Sequence, residues 1–162
     1  MDAIQVTNIT KTFSDLVAVD NVSFTVRPGE VFGYLGPNGA GKTTTIRIRT
    51  GITTPTLGTA RIFDLDIVSD TIRARQQMGI VYETSNVYDD LTAWQNMMFA
   101  GELYNVGKKD REERGSALLA TFGLLERKGS RVHGFSKGMK RRLTLAMGLI
   151  NDPKLLFLDE PT

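Results

Sequence analysis

The sequence lacks several features that would assign it to a class at once. Its 162 residues include no cysteine, which excludes a disulfide framework and thiolate metal ligands. No apolar run approaches the roughly 20 residues of a membrane-spanning helix, and no basic region followed by an apolar stretch opens the chain, so we expect no secretory signal. The 20 Lys and Arg residues nearly balance 18 Asp and Glu residues, and so weak an excess does not indicate nucleic acid as a partner. The remaining composition, 41% hydrophobic and 23% charged, is typical of one globular domain.

Strand patterns alternate with helix patterns along the chain. Apolar–polar alternation and short apolar runs predict six strands, at residues 4–6, 22–26, 31–35, 59–63, 78–82 and 155–158. A helix is predicted at residues 42–50, and further helices begin at Thr92, near Asp110 and Glu113, and at Ser136. Gly123 ends the helix that begins near Asp110. The pattern predicts an α/β core with a helical insertion.

A glycine-rich segment between the strand predicted at 31–35 and the helix predicted at 42–50 fits the phosphate-binding loop, Walker A. The segment reads Gly36-Pro37-Asn38-Gly39-Ala40-Gly41-Lys42-Thr43. Its glycines leave backbone N–H groups free to converge on an anion, and the helix N-terminus adds partial positive charge. Lys42 is expected to reach the β- and γ-phosphates, and the Thr43 hydroxyl to bind Mg²⁺, which prefers oxygen ligands. The alternative is a glycine-rich turn without a ligand, which the complete match in this context disfavours.

The short apolar strand predicted at residues 155–158 delivers Asp159 and Glu160 at its carboxyl end. This is the arrangement of a Walker B element, in which Asp159 faces the Mg²⁺ held by Thr43. Glu160 would orient or deprotonate the attacking water. An apolar run that ends in two acids is common by itself, and its alternative is a strand end with solvated carboxylates. Together with Walker A, it predicts a P-loop nucleotide-binding protein.

The segment before the Walker B strand narrows the family. It reads Phe135-Ser136-Lys137-Gly138-Met139-Lys140-Arg141-Arg142-Leu143. It resembles the Leu-Ser-Gly-Gly-Gln signature of ATP-binding cassette (ABC) proteins, although Lys137 replaces the first glycine and Met139 the glutamine. Three further segments resemble the drug- and antibiotic-export branch of that family, ABC-2 type: residues 54–58, 88–92 and 159–162. The resemblance covers the whole chain.

The resemblance implies roles for individual residues. ABC ATPase domains work as head-to-tail pairs, so ATP would lie between the Walker motifs of one copy and the signature of the other. The signature positions are Ser136, Lys137, Gly138 and Met139. Ser136 also fits an ordinary helix N-cap, and the two roles are compatible. Phe13 holds the place of the aromatic residue that stacks on adenine, although a core or edge phenylalanine fits equally well.

The implied nucleotide site has three groups of residues. The positions contacting ATP are Phe13, Gly36, Asn38, Gly39, Ala40, Gly41, Lys42, Thr43 and Thr44. Lys42 and Glu160 are the implied catalytic residues, and the implied Mg²⁺ ligands are Thr43, Asp159 and Glu83. The cofactors are therefore ATP and Mg²⁺.

The implied fold is α/β: a P-loop NTPase core with an N-terminal antiparallel β subdomain and a helical signature subdomain. We expect one incomplete ABC ATPase domain over residues 1–162, with residues 1–82 and 152–162 in the core and β part and residues 88–151 in the helical subdomain. The family pattern continues with further strands and a switch histidine after Walker B. His133 precedes the signature, so it is interpreted as a surface residue. We therefore expect a truncated form that binds nucleotide but hydrolyses it poorly.

A basic stretch surrounds the signature segment. No acidic residue lies among its members, which are Arg127, Lys128, Arg131, Lys137, Lys140, Arg141 and Arg142. Such a run is interpreted as solvated surface.

The resulting hypothesis is the ATP-binding subunit of an exporter, peripheral at the cytoplasmic face of the membrane and paired with an integral membrane subunit. A homodimer or another head-to-tail pair is expected, without nucleic acid. The alternatives are an ABC ATPase acting on translation or DNA, a P-loop kinase or GTPase, and a non-catalytic binding module. The first usually has extra domains, and a GTPase should carry an Asn-Lys-x-Asp motif, which the sequence lacks.

Glu83 stands where the family normally has a glutamine that contacts Mg²⁺ and senses the membrane partner. We expect Glu83 to keep the metal role and to alter coupling, because its carboxylate adds charge near the charge of the nucleotide. Glu83→Gln should therefore change MgATP affinity, hydrolysis or transport, as measured by nucleotide titration, steady-state ATPase assay and export assay. Three unchanged values would contradict the assignment.

Overall fold

The computed structural model describes residues 2–33, 53–82 and 86–159. The chain divides into two compact units, Met1–Gln77 and Met78–Thr162. Within the described ranges, no helix combines the length and the apolar character needed to cross a membrane. The helix predicted at residues 42–50 lies outside the described residues.

The first unit is built on a four-stranded antiparallel sheet of order β2-β1-β3-β4. The strands are β1 (Ile4–Phe13), β2 (Leu16–Val26), β3 (Leu57–Ile62) and β4 (Leu65–Asp66). Ile4 pairs with Val26 on one side and with Ile62 on the other, so β1 is a central strand. A short helix, α1 (Thr71–Gln76), follows β4. This sheet confirms the predicted N-terminal antiparallel β subdomain.

Strand β1 is longer than the alternating segment predicted at residues 4–6. Its pairing with β2 continues past an irregularity at Asn8. The register shifts between Val6 and Ile9, and Asn8 has a positive φ of 49°. The Ser23 hydroxyl accepts a hydrogen bond from the Asn8 backbone N–H at 2.7 Å and donates one to Asn8 Oδ1 at 2.8 Å. Gly58 lies so close that a Cβ there would collide with the Asn8 carbonyl. Because a shift in register disturbs the alternation of inward and outward residues, the sequence pattern predicted only the first part of this strand.

The Asp66 side chain organises the turn between β4 and α1. Its Oδ1 accepts hydrogen bonds from the backbone N–H groups of Ser69 at 3.0 Å and Val68 at 2.8 Å. The Ser69 N–H above all, aided by Val68, favours the ionised form and lowers the pKa of Asp66 below its ordinary value. A pKa lowered by folding stabilises the fold above the unfolded pKa, and this contribution is lost as the pH falls through the folded pKa.

The second unit combines three helices with two parallel strands. The helices are α2 (Ala93–Leu103), α3 (Lys108–Thr121) and α4 (Lys137–Gly148). Short 3₁₀ turns at Leu125–Arg127 and Val132–Gly134 connect α3 to α4. One apolar cluster joins the three helices and the segment between α3 and α4; its members are Ala93, Met97, Ala100, Leu119, Leu124, Val132, Phe135, Leu143, Ala146, Met147 and Ile150.

Helix α2 begins with the predicted capping box. The Thr92 hydroxyl accepts a hydrogen bond from the Gln95 backbone N–H at 3.1 Å, and Gln95 Oε1 accepts one from the Thr92 N–H at 2.9 Å. These two bonds satisfy backbone donors that the first helical turn leaves unpaired. The prediction of a helix starting at Thr92 is confirmed.

Helix α3 begins earlier than the cap pattern at Asp110 and Glu113 predicted. Its N-cap is Gly107, and no side chain caps its first turn. The predicted cap was wrong because Asp110 lies inside the first turn, where its charge still favours the positive end of the helix. Gly123 follows the helix with a φ of 65°, so the predicted glycine stop is confirmed.

Strands β5 (Met78–Val81) and β6 (Leu155–Leu158) pair in parallel, although they are distant in sequence. Helix α4 approaches β5 so closely that a Cβ on Gly79 would collide with the carbonyl oxygen of Gly148. Asn151, just after this helix, donates a hydrogen bond from Nδ2 to the Met78 carbonyl at 2.9 Å. Strands were predicted at both places, and both are confirmed.

The strand predicted at residues 31–35 is absent from its described part. Residues 31–33 have no regular secondary structure, and Val31 is 100% exposed. Phe32 stacks on Phe24 instead, with ring centroids 5.1 Å apart. An apolar run becomes a strand only where a neighbour accepts its backbone hydrogen bonds, and the sequence pattern does not reveal that neighbour.

Replacement of Leu143 tests the core of the second unit. Leu143 is fully buried, whereas Leu103, also on a helix of this unit, is 71% exposed. Leu143→Ala should lower the free energy of unfolding by about 2–5 kcal/mol because it leaves a cavity. Leu103→Ala should change it by less than about 0.5 kcal/mol. Equal losses in chemical denaturation would contradict this assignment of the core.

Candidate functional site

The structure describes only some of the residues that the sequence assigned to the site. Phe13, Asp159 and the four signature positions, residues 136–139, are described. The other assigned positions lie outside the described residues: Gly36, Asn38, Gly39, Ala40, Gly41, Lys42, Thr43, Thr44, Glu83 and Glu160. Their assigned roles stay predictions.

The carboxyl ends of β5 and β6 lie side by side. Val81 pairs with Leu158, and the Asp159 backbone N–H donates a hydrogen bond to the Val81 carbonyl at 2.9 Å. The chain therefore leaves β5 at Tyr82 and leaves β6 at Asp159 on the same edge. In the sequence, Glu83 and Glu160 are the next residues. The parallel pairing thus brings Tyr82 and Asp159, which precede these two glutamates in the sequence, to one end of the second unit.

Asp159 has the environment of an available oxygen ligand. Its side chain is half-buried, and it makes no hydrogen bond or ion pair with the residues that the structure describes. A partly desolvated carboxylate needs compensating positive charge or hydrogen-bond donors. Carboxylate oxygen is also the donor type that Mg²⁺ prefers. Within the described ranges no group of three or more His, Cys, Asp and Glu side chains could hold a metal ion, so Asp159 alone does not form a site.

Ser136 begins helix α4, as predicted. It has an extended backbone, with φ −64° and ψ 161°, and its hydroxyl accepts a hydrogen bond from the Met139 N–H at 3.2 Å. The Lys140 N–H closes the first helical turn by donating to the Ser136 carbonyl at 2.9 Å. The cap is confirmed, and it leaves the partial positive charge of the helix end at an exposed position.

The signature segment is anchored at its ends and open between them. Phe135 belongs to the buried cluster, and Met139 packs against that cluster. Ser136, Lys137 and Gly138 between them are exposed. A Cβ added to Gly138 would meet no atom closer than Ser136 Oγ, at 3.9 Å. Packing within the unit therefore does not require glycine at this position.

Phe13 ends β1 beside the turn to β2, where its side chain is 48% exposed. This exposure excludes the core alternative for Phe13, and leaves the edge position and the predicted stacking on adenine. Lys11 Nζ lies 5.0 Å from the centroid of its ring. The same ammonium group donates a hydrogen bond to the Thr54 carbonyl at 2.8 Å. The ammonium lies over one face of the ring, and the exposed part of the ring suits contact with a flat π-system.

The basic stretch around the signature is only partly a solvated surface. Arg127, Arg131 and Arg142 are exposed. Lys140 is half-buried and bonds both carboxylate oxygens of Asp89 at 2.8 Å. Arg141 is half-buried as well, and its guanidinium donates a hydrogen bond to the Tyr82 carbonyl at 2.7 Å. No sequence signal pointed to these contacts, because their partners lie 51 and 59 positions away.

An antiparallel β unit followed by a helical unit with parallel strands is the architecture of an ABC-type ATPase domain. Residues 19–162 match the family model described as ABC transporter. A solved structure titled "Structure of ATP binding subunit of ABC transporter" superposes with a TM-score of 0.88 at 30% identity, covering 98% of this chain and 66% of that one. The cbiO1 structure from Clostridium perfringens, part of the cbiONQ complex, gives a TM-score of 0.86 at 26% identity, covering 99% and 66%. The chain belongs to the ABC transporter family.

The curated proteins to which the chain is similar include several whose names refer to export, multidrug transport or resistance. The Nod factor export ATP-binding protein I of Cupriavidus metallidurans is 42% identical over 98% of this chain and 52% of its own length. The linearmycin resistance ATP-binding protein LnrL of Bacillus subtilis is 38% identical over 98% and 51%. The probable multidrug ABC transporter ATP-binding protein YbhF of Escherichia coli is 38% identical over 98% and 28%. The chain spans about half the length of these relatives, or less.

The open position of Gly138 generates a test that separates stability from activity. Gly138→Ala should leave the free energy of unfolding unchanged or raise it by up to about 1 kcal/mol, because alanine favours the helix and its Cβ has room. ATP turnover by the natural full-length protein should fall about tenfold or more, because the family resemblance implies that nucleotide binds against this exposed face. Gly129→Ala is the matched control, since a Cβ there also meets no atom within 4 Å. Denaturation and ATPase assays measure both, and unchanged turnover in Gly138→Ala would contradict the role of this face.

Proposed function

We propose that the chain is the ATP-binding part of an ABC transporter subunit that couples ATP binding and hydrolysis to export across a membrane. The observation that carries the proposal is the family match over residues 19–162, which spans the Walker segments and the signature segment. Export is supported by the relatives, whose names refer to Nod factor export and linearmycin resistance.

ATP is the proposed ligand of the glycine-rich segment. Backbone N–H groups of residues 36–44 and the Lys42 ammonium would hold the phosphates, as the Walker A pattern predicts. The half-exposed ring of Phe13, with Lys11 above it, supports a stacking role toward the adenine base.

The proposed metal is Mg²⁺, for which the donor set of one hydroxyl and two carboxylates is chemically suited. Thr43, Asp159 and Glu83 would hold it. When bound, the ion neutralises charge on the phosphate oxygens. The half-buried Asp159, without a partner among the described residues, supports its place in this set.

Two residues are proposed to carry the chemistry. Glu160 orients the attacking water and accepts its proton, and the sequence places it one residue beyond Asp159. Lys42 stabilises the charge that develops on the transferred phosphoryl group. On the family resemblance alone, the 162 residues by themselves bind nucleotide but hydrolyse it slowly.

A second copy or a related domain is proposed to complete the site in head-to-tail fashion. The γ-phosphate of ATP bound to one copy would lie at the N-terminus of α4 in the other. Support comes from the exposed Ser136 cap, which leaves a helix N-terminus available to an anion. The absence of a side chain at Gly138 allows a ligand to approach the backbone.

The proposed location is the cytoplasmic face of a membrane, where the domain is peripheral and binds an integral membrane subunit. The cbiO1 neighbour, part of a transporter complex by its title, supports such an assembly. No nucleic-acid partner is proposed, because acidic and basic residues nearly balance.

Glu160→Gln tests the proposed chemistry. In the natural full-length protein this change should keep the ATP dissociation constant within about twofold and lower turnover about 100-fold or more, because it removes the proton acceptor. Glu112→Gln, an exposed carboxylate on α3, is the matched control and should leave both values unchanged. Binding is measured by isothermal titration with MgATP and MgGTP, and turnover by phosphate release.

Three outcomes would contradict the proposal. The first is a full-length protein that binds no ATP, or that prefers GTP. The second is unchanged turnover in Glu160→Gln. The third is failure of the full-length protein to co-purify with an integral membrane protein from its own membranes. Turnover by the 162-residue chain equal to that of the full-length protein would separately refute slow hydrolysis by the shorter form.

A further inference from the structure

We propose that Lys140 and Arg141 are positioning residues that hold the connection between β5 and α2 against helix α4 at two points, Tyr82 at its first end and Asp89 near its second end. The connection runs from Tyr82 to Thr92, and Glu83 is its second residue. The inference rests on the proposed function, because it makes nucleotide turnover depend on the contact of Lys140 with Asp89 and that of Arg141 with Tyr82.

Arg141 holds the first end. Its guanidinium donates a hydrogen bond of 2.7 Å to the Tyr82 carbonyl, in a partly buried setting. Tyr82 directly precedes Glu83 in the chain. A charged donor on a carbonyl oxygen is stronger than a neutral donor, and its planar fork fixes direction as well as distance.

Lys140 holds the connection near its second end. Its ammonium group lies 2.8 Å from both Oδ1 and Oδ2 of Asp89. The side chain of Lys140 is 24% exposed and that of Asp89 is 53% exposed, so solvent weakens this pair without removing it. Because contact with both oxygens restricts both side chains, the pair positions Asp89 more than it stabilises the fold.

Asn96 makes this second end rigid from another side. Its side chain is fully buried on α2, where Oδ1 accepts a hydrogen bond from the Tyr88 N–H at 2.8 Å and Nδ2 donates to the Tyr88 carbonyl at 3.0 Å. The His133 N–H also donates to the Asp89 carbonyl at 2.9 Å. Tyr88 and Asp89 are therefore held by α2, by the turn before α4 and by Lys140 of α4.

Lys140 and Arg141, which make these two contacts, lie about one helical turn beyond the Ser136 cap. The Lys140 N–H closes the first turn by bonding the Ser136 carbonyl, and Arg141 is the next residue. Consecutive helical residues point about 100° apart, so the pair reaches Tyr82 and Asp89 from a single position on α4. A displacement of the Ser136 turn is thereby carried to Tyr82 and Asp89 together.

A charge swap tests the ion pair between Lys140 and Asp89 in the full-length protein. Lys140→Glu and Asp89→Lys should each lower the ATPase kcat about threefold to tenfold, while the ATP dissociation constant stays within about twofold. The double variant Asp89→Lys with Lys140→Glu restores an opposite-charge pair and should recover kcat to within about twofold of wild type. Lys109→Glu, an equal charge change at an exposed position of α3, is the control and should leave kcat unchanged.

Arg141 is tested by Arg141→Met and Arg141→Lys. The first removes the donor to Tyr82 and should lower kcat about threefold to tenfold, and the second keeps a cationic donor and should retain more activity. All kcat values are expressed per nucleotide-binding site, so that a loss of folded protein does not count as a loss of turnover.

Amide hydrogen exchange over residues 86–92 tests the contact of Lys140 with Asp89 independently of the ATPase assay. Exchange should rise in Lys140→Glu and Asp89→Lys and fall again in the double variant. Unchanged exchange, failure of the double variant to recover kcat, or an equal loss in Lys109→Glu would each overturn the inference. A wild-type protein that binds no ATP would instead overturn the proposed function and the effect on turnover, while hydrogen exchange would still decide whether the pair holds the connection.

Discussion

Helix α4 lies against strand β5 so closely that neither Gly79 nor Gly148 has room for a side chain. A Cβ on Gly79 would collide with the Gly148 carbonyl, and a Cβ on Gly148 would press on the Val81 side chain. Asn151, just beyond the helix, bonds the Met78 carbonyl at the start of the same strand. This backbone-to-backbone contact fixes the end of α4 relative to the strand. The other features of the second unit depend on it, because α4 carries the signature segment and β5 pairs with the strand that leads to Asp159.

The two halves of α4 differ in burial: the second half packs in the core and the first turn is exposed. The second half is apolar where it meets the cluster, through Leu143, Ala146 and Met147, and burial of these side chains stabilises the unit. The first turn leaves polar groups and Gly138 exposed, which contributes little to stability. Only a helix held firmly at one end keeps an exposed turn at a defined place, because an isolated helix of this length is marginal in water. The buried half of the helix is therefore what gives the exposed half a fixed geometry.

The starts of helices α2 and α4 could be predicted because their causes are local. Thr92 and Gln95 are three residues apart, and their mutual hydrogen bonds form within one helical turn, so the capping box was sufficient evidence. Ser136 is a similar case. An apolar run does not by itself specify the strand with which it pairs, so the strand predicted at residues 31–35 was wrong for its described part, residues 31–33. The irregularity at Asn8 also escaped prediction, since it depends on Ser23 in the neighbouring strand and on the space left by Gly58.

In the candidate site, too, local sequence motifs were recognised and long-range contacts were not. Its basic residues show why. Walker A, Walker B and the signature were recognised from short spacings, whereas Lys140 and Arg141 were interpreted as solvated surface because charge runs usually are. Their actual partners are Asp89 and the Tyr82 carbonyl, and a backbone carbonyl leaves no trace in the sequence. A half-buried cation requires a hydrogen-bond or charge partner. The burial of Lys140 and Arg141 in the fold, and not their residue types, therefore indicates that they make such contacts. Short motifs thus predict which residues contact a ligand, whereas long-range contacts such as those of Lys140 and Arg141 are determined by tertiary packing.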